Sequence, residues 1–289
     1  MHLLTRAPAK INLTLHVVRR RLDGFHDLES LVVFAGVADV LALDPCHPLG
    51  LAVSGPSAAD AGDARNNLVL KAARALGERV PGLRTGAFRL VKRLPVGAGI
   101  GGGSSDAAAA LRLLARLNGL GLGDERVHAA ACATGSDVPV CVHPRSRMMA
   151  GTGDRLGPPL KARPLYAVLV NPGIHVPTPG VFKHMGLAPG EARHSVEHHV
   201  PHDGLDHESF VDLVRSGRND MEAAALALAP GIGDAVDVLA ATARHRVVRM
   251  SGSGSTCFAL YGDRRAAHAA AALVAGARPG WWVRATALR

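Results

Sequence analysis

A run of glycines followed by small polar residues is the stretch of this sequence best suited to chemistry. Five glycines lie within residues 97–103, and Ser104, Ser105 and Asp106 follow them directly. Glycine adopts backbone dihedrals that other residues avoid, and it lets backbone N–H groups approach a bound group closely. Such donors in front of a helix form an anion site, because the free N–H groups and the positive end of the helix dipole point the same way. The stretch therefore predicts a phosphate-binding loop.

This loop differs from two common phosphate-binding motifs. A Walker A sequence ends in Gly-Lys-Ser/Thr, whereas here the glycines precede Ser-Ser-Asp. A dinucleotide fingerprint needs a strand, a GxGxxG turn and a helix with an acidic residue about 20 positions later, and no such unit fits this stretch. On the loop alone, a glycine-rich hinge without a ligand remains the alternative.

Two charged residues outside the loop could act on a phosphate. Lys10 stands at the head of the alternating segment 10–18, which predicts a half-buried strand. Asp137 follows Gly135, which ends a helix predicted over 123–133, and the nearby proline is expected to prevent a new helix. A lysine near a phosphate can clamp it or hold a neighbouring carboxylate ionised. The alternatives are a solvated lysine and a helix-capping aspartate.

The rest of the pattern predicts the elements that would position these groups. Apolar residues at helical spacing predict a helix from the loop to Leu117, with Ser104, Ser105 or Asp106 as its N-cap. Asn66-Asn67 predicts another helix start. Strands are predicted at 31–34, 39–43, 88–91 and 165–170. Residues 247–289 predict a strand, a second small-residue loop at 251–255, a strand, a helix and a strand, which is typical of a ferredoxin-like α+β sandwich.

Composition indicates a globular protein that does not span a membrane. The 289 residues are 48% hydrophobic and contain no apolar run of 18 residues, and the N-terminus lacks the features of a signal peptide. Four scattered cysteines without metal-ligand spacing predict free thiols in a reducing cytoplasm. The turn-rich segment 149–156 is the expected boundary between two domains, 1–157 and 158–289.

Charge favours small anionic ligands over nucleic acid. The formal charge is +9, but aromatic residues make up only 3% of the chain and the arginines are spread along it, unlike a basic face built for base stacking. A positive field of this kind gathers small polyanions. The tract from His194 to His207 holds five histidines, but its irregular spacing predicts a solvated loop in preference to a metal site.

Three motifs in order resemble those of the GHMP small-molecule kinases: Pro8–Leu13, Pro95–Ala108 and Ser251–Ser255. Asp-Gly-Phe-His at 23–26 and Asn-Asp-Met-Glu at 219–222 together narrow the resemblance to one branch, which phosphorylates a cytidine diphosphate-linked methylerythritol in the non-mevalonate route to isoprenoids. Gly-Ser-Asp-Val-Pro at 135–139 supports the same branch. The likeness extends from Met1 to about Ala259.

The resemblance implies a two-domain α+β fold. Its N-terminal domain would be a ribosomal-S5-like α/β domain that binds ATP, and its C-terminal domain would be ferredoxin-like and lie on the substrate side, with the active site in the cleft between them. The implied reaction transfers the ATP γ-phosphoryl group to the substrate's 2-hydroxyl with Mg²⁺, and the implied partners are small molecules only. The implied assembly is a monomer or a homodimer.

The resemblance also implies roles for individual residues. Asp137 would be the catalytic base and Lys10 its charged neighbour. The resemblance names no metal ligand, and Ser104 and Ser105 are candidates from the loop sequence alone. The implied ATP-binding residues are Pro95, Val96, Gly97, Ala98, Gly99, Ile100, Gly101, Gly102, Gly103, Ser104, Ser105 and Asn66. The implied substrate-binding residues are Asn12, Phe25, His26, Phe182, Thr178 and Lys183.

Three positions depart from the family pattern. Phe25 stands where tyrosine is frequent, Ser136 where alanine is frequent and Asp154 where glutamate is frequent, and none of them removes a reacting group. The alternatives are another GHMP kinase, acting on mevalonate, homoserine or a sugar, and a non-catalytic ligand sensor on the same scaffold. A sensor would need to lack the base or the lysine, and both are present.

Overall fold

The computed structural model describes residues 3–161, 163–193, 201 and 205–289. The histidine tract at 194–207 falls mostly outside these residues. The strands are β1 (Leu3–Arg20), β2 (His26–Asp44), β3 (Gly50–Ser54), β4 (Ala87–Val91), β5 (Arg147–Gly151), β6 (Arg155–Leu156), β7 (Leu165–Asn171), β8 (His245–Met250), β9 (Cys257–Tyr261) and β10 (Trp282–Leu288). The helices are α1 (Leu68–Gly77), α2 (Gly102–Leu117), α3 (Glu125–Thr134), α4 (Val138–Val142), α5 (Thr178–His184), α6 (His207–Ser216), α7 (Glu222–Leu228), α8 (Gly231–Ala240) and α9 (Arg264–Ala277).

The described residues group into two compact units. Unit 1 draws on Met1–Lys10, Val37–Val96 and Gly101–Pro144, and unit 2 on Ile11–Gly36, Gly97–Ile100 and Arg145–Arg289. Strands β1 and β2 therefore contribute residues to both units. The expected boundary near residue 157 stays a prediction.

Unit 1 combines a small sheet with four helices. β3 runs parallel to β4, and β4 runs antiparallel to the second half of β2. Helix α2 packs against α1, α3 and α4, and its residues from Ser105 to Ala115 are buried apart from Arg112. A helix that is apolar on nearly every side belongs in a core, and its alanines let the neighbouring helices come close. α2 is therefore the central element of unit 1.

Unit 2 contains an antiparallel sheet in the order β10, β7, β9, β8. Along the chain these elements appear as β7, α8, β8, β9, α9, β10, and both helices pack on the sheet. This chain order and strand order are those of a ferredoxin-like unit, so the expectation for residues 247–289 is confirmed. The end of β10 pairs with the first half of β2, where Leu288 lies opposite Ala35. β5 pairs with β2 at residues 28–32.

Two local expectations from the sequence were wrong, and a third predicted two strands where the structure has one continuous strand. Gly101 caps α2 in a left-handed conformation, so α2 begins at Gly102 and the three candidate caps lie inside it. Pro139 lies in the first turn of α4, where a missing N–H and a fixed φ are tolerated, so it does not prevent a helix. Residues 31–34 and 39–43 belong to one continuous strand, β2.

No helix in the described part of the chain is long and apolar enough to cross a membrane.

Candidate active site

Lys10 and Asp137 form an ion pair in unit 1. The Lys10 Nζ atom lies 2.9 Å from Asp137 Oδ2, and the two side chains are 4% and 32% exposed. Asp137 stands at the N-cap position of α4, but its carboxylate is turned to Lys10 instead of capping the helix. A partly exposed carboxylate beside a buried ammonium can take a proton from a hydroxyl brought to it. The structure therefore brings together the two residues predicted to be catalytic.

Gly101 carries the end of the glycine-rich loop past this pair. Its φ is +59°, and a Cβ atom there would lie 3.0 Å from Lys10 Cε and 3.9 Å from Asp137 Oδ2. Only glycine meets both the left-handed backbone and the close approach. The N-terminal turn of α2, with Gly102, Gly103 and Ser104, starts at this point. The amides and the helix dipole that favour an anion thus begin beside the ion pair.

The first half of the loop is held by the second small-residue loop within unit 2. Ser251 Oγ donates to the Gly99 carbonyl at 3.2 Å, and the Thr256 N–H donates to the Ala98 carbonyl at 3.1 Å. Gly99 has a φ of +72°, and a Cβ atom there would lie 2.5 Å from the Ser251 carbonyl oxygen and 2.7 Å from that of Gly254. Any side chain at 99 would break this contact.

Two asparagines donate hydrogen bonds to the 251–255 loop and the residue before it. Asn219 Nδ2 donates to the carbonyls of Met250 and Gly252, each at 2.8 Å. The Asn12 N–H donates to Ser251 Oγ at 3.1 Å, and Asn12 Nδ2 donates to Ser30 Oγ at 2.6 Å. Asn219 is a supporting residue whose role sequence reasoning missed, although its Asn-Asp-Met-Glu motif was noted. The predicted contact of Asn12 with substrate stays a prediction.

His26 and Phe182 form a stacked pair in unit 2. Their ring centroids are 4.1 Å apart and the ring planes differ by 11°. Burial, with a smaller effect of the Arg20 charge, lowers the pKa of His26 below its usual range, so the imidazole is neutral at neutral pH. Its Nε2 atom is buried without a hydrogen-bond partner among the described residues. A neutral imidazole presents one donor and one acceptor, and the neighbouring Phe25 ring is 62% exposed.

The other residues predicted to bind ATP or substrate lie in loops, in an exposed turn and on helix α5. Thr178 Oγ1 lies 2.7 Å from Ser253 Oγ, so it borders the 251–255 loop. Lys183 lies on the exposed side of α5, and Asn66 ends an exposed turn just before α1. The remaining loop residues lead from Leu94 into α2 and include Pro95, Val96, Gly97 and Ile100.

A buried ion triad in unit 1 was not found from the sequence. Lys92 Nζ lies 2.5 Å from Asp39 Oδ2 and 2.7 Å from Asp106 Oδ2. Asp39 Oδ1 also accepts hydrogen bonds from the N–H groups of Arg93 and Leu94, at 2.5 and 2.8 Å. The triad thus joins the chain before the glycine-rich loop to the helix after it. The one available signal was a lysine immediately before the loop, and nothing local paired it with Asp39.

Burial disfavours the ionised form of Asp106. It raises the pKa of Asp106 to about 7, with Asp39 adding to the rise and the Lys92 ammonium opposing it. Burial also disfavours the charged form of Lys92, but the two carboxylates outweigh it and raise the pKa of Lys92. Asp106 Oδ1 has no hydrogen-bond partner among the described residues.

The variant Asp106→Asn should change how stability depends on pH. The pKa of Asp106 is higher in the folded state than the unfolded value of about 3.9, so the folded state holds the extra proton. Its contribution to stability is full below the unfolded pKa and is lost as pH rises through about 7. We expect the melting temperature of the variant to gain several degrees on the wild type between about pH 4 and about pH 7, because asparagine has no proton to lose in this range. If the melting temperatures of the two proteins changed with pH in the same way across this range, the raised pKa of Asp106 would be contradicted.

Family models match both halves of the chain. The model described as the GHMP kinases N terminal domain matches residues 67–145, and the GHMP kinases C terminal model matches residues 202–277. Together they cover more than half of the sequence.

Full-length relatives narrow the comparison. A protein of Methylobacterium radiotolerans named 4-diphosphocytidyl-2-C-methyl-D-erythritol kinase is 59% identical over 288 residues, which are 99% of each chain. A crystal structure titled 4-(cytidine 5'-diphospho)-2C-methyl-D-erythritol kinase is 33% identical, with a TM-score of 0.74 over 99% of each chain. A homoserine kinase structure from Cytophaga hutchinsonii is 18% identical, with a TM-score of 0.69 over 99% of this chain and 94% of that one. At that identity, the homoserine kinase shares the fold alone.

Proposed function

We infer the function of this chain from its family, because it belongs to the 4-diphosphocytidyl-2-C-methyl-D-erythritol kinases within the GHMP kinases. The enzyme transfers the γ-phosphoryl group of ATP to the 2-hydroxyl of 4-diphosphocytidyl-2-C-methyl-D-erythritol. The products are the 2-phosphate and ADP, and the reaction belongs to the non-mevalonate pathway of isoprenoid precursors. Identity of 59% over the whole chain favours this substrate over mevalonate, homoserine or a sugar.

The observation that carries the proposal is the Lys10–Asp137 pair beside Gly101. A tertiary alcohol is a poor nucleophile, so a base must take its proton as the new O–P bond forms and the bond to the leaving ADP oxygen breaks. Asp137 is that base. Lys10 holds the carboxylate in place through the ion pair and offsets the negative charge that develops on the phosphoryl group. Most of the rate comes from holding donor and acceptor in line.

ATP is the co-substrate, and residues 95–105 are its proposed phosphate site, with Asn66 near the adenine. The described residues contain no group of three or more His, Cys, Asp or Glu that could hold a metal ion. This fits Mg²⁺, which takes few protein ligands and binds mainly through phosphates and water. Ser105 Oγ donates to the Pro8 carbonyl at 2.7 Å, so we propose Ser104 as the protein ligand. Bound Mg²⁺ would neutralise phosphate charge that otherwise repels the nucleophile.

The cytosine would be held by His26, Phe25 and Phe182. A neutral imidazole with an unsatisfied buried nitrogen suits the hydrogen-bonding edge of a base, and two phenyl rings nearby offer stacking surfaces. Thr178, Lys183 and Asn12 are weaker proposals on the same substrate.

The decisive experiment incubates the purified protein with ATP, Mg²⁺ and 4-diphosphocytidyl-2-C-methyl-D-erythritol. Phosphorus NMR of the product should show a new phosphomonoester on the 2-hydroxyl. Mevalonate, homoserine and a hexose run in parallel as acceptors. If one of these is phosphorylated and the cytidyl compound is not, the protein is a different GHMP kinase. If no acceptor supports ATP turnover, the protein is a non-catalytic ligand sensor.

Phe182→Ala and Phe25→Ala should each raise the KM for the cytidyl substrate. Stacking on a base contributes about 1–3 kcal/mol, so we expect an increase of about 5- to 150-fold while the KM for ATP changes little. Leu22→Ala is the matched control, because Leu22 is an exposed apolar residue of the same turn. Equal increases for both substrates would remove the two rings from cytosine recognition.

We place the enzyme in the cytoplasm. Its four cysteines are free thiols, and burial raises the pKa of Cys141 to about 12, which makes that thiol unreactive. Free thiols of this kind persist in a reducing compartment. We propose a monomer or a homodimer, which light scattering behind a sizing column distinguishes.

A further inference from the structure

We propose that Arg112 is a positioning residue for the Lys10–Asp137 pair. It is the residue between Ser105 and Ala115 on α2 that is not buried with the others, and its guanidinium reaches two other elements of unit 1. The inference rests on the proposed function, since it concerns the geometry of the proposed base.

The guanidinium joins the two segments that carry the pair. Arg112 Nη1 donates to the Cys141 carbonyl at 2.7 Å, and Nη2 donates to the Arg6 carbonyl at 2.6 Å. Cys141 lies in the last turn of α4, the helix that Asp137 begins, and Arg6 lies on β1 four residues before Lys10. One rigid fork thus fixes the distance between the backbone of α4 and the backbone of β1.

Helix α4 needs such an external contact. It has only five residues, so nearly all of its carbonyl groups lack a partner within the helix, and a helix this short has little stability of its own. Its orientation, and with it the direction of the Asp137 side chain, must come from neighbouring elements. Arg112 supplies a hydrogen bond at the end of α4 opposite Asp137.

A second residue on the Arg112 face of α2 also binds strand β1. Ser105 Oγ donates to the Pro8 carbonyl at 2.7 Å, two residues along β1 from the Arg6 carbonyl that Arg112 holds. Alternate carbonyls of a strand point to the same side. α2 therefore grips β1 at two successive points just before Lys10.

A melting curve separates the positioning role of Arg112 from a purely structural one. Arg112→Met leaves the Cys141 and Arg6 carbonyls without these donors, so the melting temperature should fall by several degrees. Turnover is measured well below that melting temperature, where the variant is folded, so a lower kcat there reports the lost separation of Lys10 and Asp137.

The test compares Arg112→Met with Arg116→Met, the same change at an exposed position on α2. We expect kcat to fall about 10- to 100-fold in Arg112→Met, with the KM values for both substrates within twofold of wild type. Arg112→Lys should recover part of the loss, because an ammonium can hold one of the two carbonyls. In a Lys10→Met background the further effect of Arg112→Met should vanish.

Three outcomes overturn the proposal. One is a kcat for Arg112→Met equal to that of Arg116→Met, another is a loss that persists undiminished in the Lys10→Met background, and the third is full kcat in Arg112→Lys. A crystal structure of Arg112→Met supplies a readout that needs no turnover, with the Lys10–Asp137 separation expected beyond 4 Å, the limit for an ion pair. An unchanged separation contradicts the inference, whereas a wild type inactive on the cytidyl substrate contradicts only the proposed function.

Discussion

Asp137→Asn should lower kcat by about 10²- to 10⁴-fold, the range that general-base catalysis contributes. The amide has the size of the carboxylate but cannot take the proton of the 2-hydroxyl. Asp137 is partly exposed and its side chain does not cap α4, so stability should change little. The measurement is single-turnover phosphorylation of the cytidyl substrate, with ATP affinity followed by calorimetry on a non-hydrolysable analogue.

Asp60→Asn is the control for this variant, since Asp60 is an exposed aspartate of unit 1 in a short turn. We expect it to keep wild-type turnover, and Asp137→Asn to keep its affinity for the ATP analogue. Near-normal turnover of Asp137→Asn would remove Asp137 from the role of base. Loss of nucleotide binding in the same variant would instead make the residue part of the phosphate site.

Lys10→Met should also lower kcat by about 10²-fold or more, in the range found when one charge-stabilising group is removed. Methionine keeps an unbranched apolar stem in a site that is 4% exposed, but it removes the ammonium 2.9 Å from Asp137. The carboxylate then loses its ion-pair partner, and the transferred phosphoryl group loses a neutralising charge. Steady-state kinetics with both substrates, together with a melting curve, measure the effect.

Lys161→Met is the control, because Lys161 is exposed. The double variant Lys10→Met/Asp137→Asn should be about as slow as Asp137→Asn alone, since residues that act as a unit do not add. A turnover rate of Lys10→Met within twofold of wild type, or additive losses in the double variant, would show that the pair does not act as one unit.

Sequence reasoning found the residues whose meaning is local. The glycines of 97–103 identified a loop before a helix because their backbone freedom and the following helical period are both readable in one stretch. The alternating pattern found the strand that carries Lys10 but misplaced its start, because β1 begins at Leu3 and is buried on both faces around Lys10. Asp137 followed a glycine that ended a helix. The 2.9 Å contact between Lys10 and Asp137 joins positions far apart in the chain, so it was expected from the family resemblance and not from either segment.

Contacts between residues far apart in the chain could not be predicted from local sequence patterns. Asp106 was interpreted as a possible N-cap, but it is buried against Lys92, and Asp39 completes the triad from strand β2. The bonds from Ser251 and Thr256 to the glycine-rich loop join residues more than a hundred positions apart. No pattern in the sequence marked Arg112, which is one polar residue in an alanine-rich helix. Periodicity reports which face of an element is buried, but it does not identify the partner on the other side.

The ferredoxin-like sheet of unit 2 has one long connection, between β7 and α8, and this connection has a consequence for how acceptor preference can diversify. It carries Thr178, Phe182 and Lys183, but Val181, Met221 and Ala225 of the same connection are buried in the core of unit 2. Asn219, also in this connection, holds the 251–255 loop, so exchange of the whole segment would disturb both the core and that loop. Exposed positions such as Lys183 carry no such constraint. Variation at these positions is thus a practical route to kinases with new acceptors on an unaltered sheet.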